Sequence, residues 1–320
     1  MKKLLFILNI LICFSDLIDQ VRIDIINIAL LNLPKRENID ILKMGIEMSK
    51  SKDKYSMTDV EAAYFAYKWI AYNIEIDCLG VNHGNSSTSV VATYKNGKGG
   101  PSGISNLFNT ISGLLNIESD TIYGLEKYVT WNYTQFIQFK EHAWNYILID
   151  NNYYLLDATM GAGFCSSDNR FYKRSSDFYF GTKPERFIRS HFPNDNKMQL
   201  LSKTITKSEF KTMAYLYEDF YLLFNTMSPD ISITKNTDEI RVRLTANNSV
   251  DDIFEDLEFT DMISITNEPT EIGIYMYVER VSRGLYEFNY TLYSPGRYDI
   301  FVENIKTKKS YSLMTFEVIE

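Results

Sequence analysis

His142 and Asp157 are the two residues whose types and spacing could do proton chemistry together. They flank the turn residues Asp150-Asn151-Asn152, in a stretch that otherwise reads as two strands, residues 144–149 and 153–157. Side chains alternate faces along a strand, so a hairpin keeps both groups on one face. A turn centred on Asp150-Asn151 sets His142 opposite Thr159, with Asp157 as its diagonal neighbour. A turn at Asn151-Asn152 carries Asp157 out of direct reach. An imidazole oriented by a carboxylate shuttles protons in nucleophilic acyl transfer, and that chemistry also needs a nucleophile. Ser102, in the first turn of an expected helix, and Cys165 are the candidates. Each has a plainer reading, as a helix-starting serine and as a structural or disulfide-bonded cysteine. The pair itself reads equally as a hydrogen-bonded core contact. His191, in Ser-His-Phe-Pro, reads as a packed histidine, because no Cys/His/Asp/Glu spacing suits a metal. Gly97 to Gly103 lacks the context of a phosphate cradle, so neither metal nor cofactor is expected.

The elements that must position these groups are legible. Thr58-Asp59-Val60-Glu61 forms a capping box, and Ala62, Phe65, Ala66, Trp69 and Ile70 follow at helical spacing. A polar loop, residues 82–89, precedes Val90-Val91-Ala92 and the turn Gly97-Lys98-Gly99-Gly100-Pro101. Pro101 suits the first turn of a second helix, whose buried side is Ile104, Leu107, Phe108, Ile111, Leu114 and Leu115. Residues 121–158 are extended and end in the hairpin. Beyond Met227, short runs at 231–234, 240–244, 272–278, 286–293, 298–302 and 312–318 alternate apolar with polar residues. They predict an antiparallel sandwich of immunoglobulin-like type.

Apolar residues make up 45% of the 320 and charged residues 23%, as in a globular protein with a proper core. A net charge of -8 with scattered Lys and Arg argues against a nucleic-acid partner. Lys2 and Lys3 precede an apolar run to Phe14 and a small Ser15, which reads as a signal peptide over residues 1–15. The other reading is an N-terminal helix continuing to Asn32. No later segment is long enough to span a membrane. Sequons at Asn85, Asn132, Asn247 and Asn289 agree with secretion. Without the leader only Cys78 and Cys165 remain, and their pairing stays open.

Several stretches, in order, resemble the transglutaminase-like superfamily in its kyphoscoliosis-peptidase branch. Tyr67 to Asp77 is similar to the helix that opens that core, and Gly97-Lys98-Gly99-Gly100-Pro101-Ser102-Gly103 to the nucleophile turn. His142-Ala143-Trp144-Asn145 resembles the histidine motif, and Asp157 to Gly163 the aspartate motif, with Met160 where Trp is usual. Phe187 to Pro193, then Gln199-Leu200-Leu201, is similar to a segment of that branch. The resemblance implies a Cys nucleophile at a helix N-terminus, where the dipole and a neighbouring His favour thiolate. Pro101 occupies that position, while His142 and Asp157 match the other two members.

The expected protein is therefore α+β: a papain/transglutaminase-like core over residues 16–227, then an immunoglobulin-like sandwich over 228–320. It is expected to be secreted, to lack the nucleophile, and to act by binding a protein or peptide. Ser102, Trp144 and Cys165 are candidates for the ligand cleft. One alternative is an active transglutaminase or cysteine peptidase with Cys165 or Ser102 as relocated nucleophile. The other is an extracellular structural or adhesive protein working through the sandwich.

Overall fold

The computed structural model describes residues 18–129 and 137–223 throughout, and strand segments between 230 and 318. The expected leader and the Asn132 and Asn247 sequons lie outside the described residues. The chain divides into two compact units. The first comprises Met1–Gly124, Glu141–Phe187 and Pro193–Leu200; the second comprises Leu125–Lys140, Ile188–Phe192 and Leu201–Glu320.

The helices start where the sequence supplies an acceptor for orphan amides. Asp19 caps α1 (Gln20–Leu31) and Asp40 caps α2 (Ile41–Lys54). Thr58 and Glu61 close the predicted capping box on α3 (Asp59–Asn73). Residues 61–71 of α3 are all buried, where the periodicity predicted one apolar face. Other helices pack around it, and the two charged groups it buries, Glu61 and Lys68, are paired, as burial requires. Lys68 Nζ reaches Asp177 at 2.7 Å, and Arg22 forks onto Glu61 at 2.6 and 2.7 Å. That hydrogen-bonded guanidinium holds the Glu61 carboxyl below its ordinary pKa. Its stabilisation is therefore present above the unfolded glutamate value and lost as pH falls through the lower, folded one. Denaturant unfolding of Glu61→Gln at pH 7 should show a loss of about 1.5 to 3 kcal/mol. The gap to the parent should narrow in acid, and a gap constant down to pH 3 contradicts the ion pair.

Short elements then approach the site: β1 (Glu75–Ile76), α4 (Cys78–Asn82), α5 (Val90–Asn96) and β2 (Lys98–Gly99), with β1 and β2 parallel. Next come α6 (Pro101–Leu114), β3 (Glu118–Val129), β4 (Ile137–Ile149) and β5 (Asn152–Leu156). The chain continues through α7 (Ala158–Ala162), β6 (Gly163–Cys165), β7 (Phe171–Lys173), β8 (Phe180–Thr182), α8 (Pro184–Phe187) and β9 (His191–Pro193). The main sheet has the order β8-β5-β4-β3-β9. The hairpin β4–β5 pairs Asn145 with Leu156 and Ile149 with Asn152. Asp150 and Asn151 hold it together with φ of 51° and 60°. Two consecutive left-handed residues make the two-residue turn that matches strand twist. The closer of the two predicted registers is the one adopted.

The second unit adds α9 (Lys207–Thr212), β10 (Tyr215–Leu216), α10 (Glu218–Leu223), β11 (Asp230–Ile233) and β12 (Glu239–Thr245). The remaining strands are β13 (Leu257–Ser264), β14 (Ile272–Tyr275), β15 (Val278–Ser282), β16 (Leu285–Thr291), β17 (Gly296–Asn304) and β18 (Ser310–Val318). They form antiparallel sheets in the orders β10-β18-β17-β13-β14 and β11-β12-β16-β15. Among the described residues, each of the six predicted runs overlaps a strand. The run at 272–278 is divided between the two sheets, and β13 was not foreseen because Asp261 interrupts its alternation.

Candidate functional site

Within the first unit, β4 carries His142 and Asp157 directly follows β5. His142 Nε2 and Asp157 Oδ2 are 2.6 Å apart, with the two side chains 1% and 0% exposed. A carboxylate oxygen accepts, so Nε2 donates. The other carboxylate oxygen, Oδ1, accepts from the amides of Thr159 at 2.8 Å and Met160 at 3.0 Å, which makes Asp157 the N-cap of α7. The Asp157 amide donates to Tyr179 O at 2.8 Å. The carboxylate is thus fixed from both ends before it meets the imidazole. With Nε2 committed to Asp157, proton exchange with a third group would run through Nδ1.

Pro101 is the first residue of α6, after a trans peptide from Gly100, whose own side caps nothing. The link from α6 to the histidine strand lies one turn further on. Ser105 Oγ donates to Trp144 O at 3.0 Å, and Asn145 Nδ2 donates to Ser105 O at 3.1 Å and Asn109 Oδ1 at 2.8 Å. These bonds fasten the first and middle turns of α6 to β4 two or three residues from His142. Sequence reading missed them; Ser105 and Asn109, one helical turn apart and next to apolar Ile104 and Phe108, were the available signal. Proline fits this position physically, since the first-turn amide it lacks has no acceptor in the helix. It offers no heteroatom for attack.

The other candidates separate. Cys165 is bonded to Cys78, with Cα atoms 5.6 Å apart, so it has no thiol with which to act as a relocated nucleophile or cleft ligand. Trp144 is 1% exposed and packs with Ile122, Leu155 and Phe187, which places it in the core and not on a cleft wall. Ser102 is half-buried beside Pro101. His191 is buried, with Nδ1 2.8 Å from Ser190 Oγ.

Gly161, in the aspartate motif, is required by close approach. A Cβ there would collide with the Tyr67 hydroxyl, with Cζ at 2.5 Å. Tyr67 cannot retreat, being fully buried and donating to Ser176 O at 2.6 Å. Gly161→Ala should therefore cost about 1 to 3 kcal/mol by overpacking. Thermal unfolding checks it; an unchanged midpoint means that Tyr67 can move.

The His142–Asp157 pair thus stands at an antiparallel sheet that Ser105 and Asn145 fasten to α6. Residues 47–158 match the transglutaminase-like superfamily, and this part of the chain is a transglutaminase-like domain. The relatives place it in the kyphoscoliosis-peptidase branch. The human kyphoscoliosis peptidase is 26% identical over 204 residues, 60% of this chain and 30% of that protein. The mouse kyphoscoliosis peptidase is 26% identical over 170 residues, 51% of this chain and 25% of that protein. The chain thus covers less than a third of these relatives. A crystal structure of a TGase is similar at 14% identity and a TM-score of 0.28, over 54% of this chain and 38% of that one, a likeness too slight to carry an argument.

Proposed function

We propose that the protein is a secreted, non-catalytic relative of the transglutaminase-like cysteine enzymes, acting by binding a protein or peptide. One observation carries this: Pro101 stands at the helix start where the family resemblance puts its nucleophile, while His142 and Asp157 keep a 2.6 Å contact. Loss of the attacking atom removes the covalent step, and the imidazole alone cannot form an acyl intermediate with the same leaving-group geometry. The position beside α6 would then receive an extended polypeptide or a glutamine-like side chain without turning it over. The Cys78–Cys165 disulfide supports an oxidising compartment. The antiparallel sheets of the second unit are read as an immunoglobulin-like sandwich over residues 228–320, following the transglutaminase-like region at 16–227.

The test combines turnover and binding on the natural protein. Amine incorporation into a Gln-containing protein and cleavage of an unfolded substrate should both stay at background. Fluorescence anisotropy should show saturable binding of a labelled unfolded Gln-rich peptide, weakened by bulky substitution at Ser102. Turnover above background sinks the reading. Turnover abolished by Ser102→Ala would point to Ser102 as a relocated nucleophile.

A further inference from the structure

Residues 82–89 run from the last residue of α4 to the N-cap of α5, and Ser86, Ser87 and Thr88 among them lie on the start of α6. A Cβ on Gly100, the residue before Pro101, would collide with the Ser86 side chain, whose Cβ would be 2.8 Å away. A Cβ on Gly103 would collide with the Ser87 carbonyl oxygen. Asn106 Nδ2, further along α6, donates to Thr88 O at 3.1 Å. The loop therefore touches α6 at Gly100, Gly103 and Asn106, over its first two turns. Gly103 is buried although it sits in a first turn, where amides have no acceptor within the helix.

The loop is tied down at its N-terminal side. Cys78, the first residue of α4, is bonded to Cys165 at the end of β6. Asn82 Nδ2 bonds Asn169 Oδ1 beyond that strand, so both tethers reach the β6–β7 hairpin region. The amides of Asn85 and Ser86 return to Gly80 O at 2.9 and 3.1 Å, folding the loop back on α4. Residues 82–85 are exposed, so solvent bounds the loop on its outer side.

We propose that residues 82–89 are a cover seated on the N-terminus of α6, and that the Cys78–Cys165 disulfide sets its seating, so that reduction exposes the start of the helix. A dithiol supplies the two electrons and two protons that turn the disulfide into two thiols, and leaves as its own disulfide. With the covalent tether gone, the loop keeps the packing of Ser86 and Ser87 on Gly100 and Gly103 and hydrogen bonds that water can replace. Its meaning as control of ligand access rests on the binding role proposed above; its physical test does not. In the oxidised protein the cover stays seated on Gly100 and Gly103, with Ser102 half-buried beside it, and in the reduced protein it lifts.

Hydrogen exchange of the Ser102 and Gly103 amides, with and without dithiothreitol, reads this directly and needs no ligand. Reduction should speed both at least tenfold, together with the amides of residues 82–89, while Ile147 and Leu155 in the β4–β5 hairpin stay slow. Asn106→Ala, with the disulfide intact, should raise the same amides to a smaller extent. Unprotected Ser102 and Gly103 amides in the oxidised protein overturn the cover. So does exchange that reduction leaves unchanged, or a rise shared equally by β4 and β5. Failure of peptide binding alone would refute the binding role and leave this result standing.

Discussion

Pro101→Cys should give the protein a thiol that alkylates near neutral pH at least tenfold faster than an unperturbed cysteine. The substituted residue would sit at the first position of a 14-residue helix, where the positive end of the dipole favours an anion. His142 stands on the strand fastened to that helix through Ser105 and Asn145, and its contact with Asp157 fixes the ring. Both influences lower a thiol pKa from its usual value near 8.5. The substitution itself is mild: losing proline frees the unfolded chain and costs about 0.4 to 1 kcal/mol. Cys78 and Cys165 add no background, since they are bonded to each other. The rate of iodoacetamide labelling against pH should show a midpoint below 8, shifted upward when His142→Ala is added. Amine incorporation or peptide cleavage in the variant, absent from the parent, would mean that only the nucleophile was lost. A reactive thiol without turnover would mean that the substrate position has also changed. A thiol titrating normally, indifferent to His142, removes the ground for calling the pair a vestige of catalysis.

Much of the scaffold was legible because local rules determined it. Thr58 and Glu61 could form a capping box from their spacing alone, and Pro101 could only start a helix. Alternation placed His142 and Asp157 on one face, but the register was undetermined, since Asp150, Asn151 and Asn152 all tolerate left-handed backbone. The structure decides it by putting Asp150 and Asn151 in the turn. Contacts between distant segments were the illegible part. Ser105, Asn109 and Asn145 look like surface residues until the helix and strand that bear them meet. The seating of Ser86 and Ser87 on Gly100 and Gly103 had no periodic signal at all. The sequence likewise predicted one buried face for α3; its burial on every side required knowing that the neighbouring helices and Lys68–Asp177 would enclose it.

Removing the Cys78–Cys165 disulfide should produce the largest loss of stability. It joins residues separated by 87 positions, so in the unfolded chain it closes a long loop and removes many conformations. Loop-closure entropy for that length corresponds to about 4.5 kcal/mol, and measured losses for native disulfides are about 2 to 5. For a unit of this size each kcal/mol moves the midpoint by about 2 to 4 °C, so a fall of roughly 6 to 12 °C is expected for a loss near 3 kcal/mol. The folded state contributes as well, because Cys78 is 4% exposed and starts α4 directly after β1, so its substitution also leaves a small void. Comparing reduced parent with Cys78→Ala/Cys165→Ala separates the two effects. The reduced parent keeps both sulfurs and loses only the cross-link, whereas the double variant loses packing too and should unfold slightly earlier. The same loop-closure argument predicts faster refolding of the oxidised chain for contacts between β1 and the β6–β7 hairpin, which the bond holds near each other from the start. Equal midpoints for oxidised and reduced protein would show that the two sulfurs are not joined, and would remove the tether on which the cover over α6 depends.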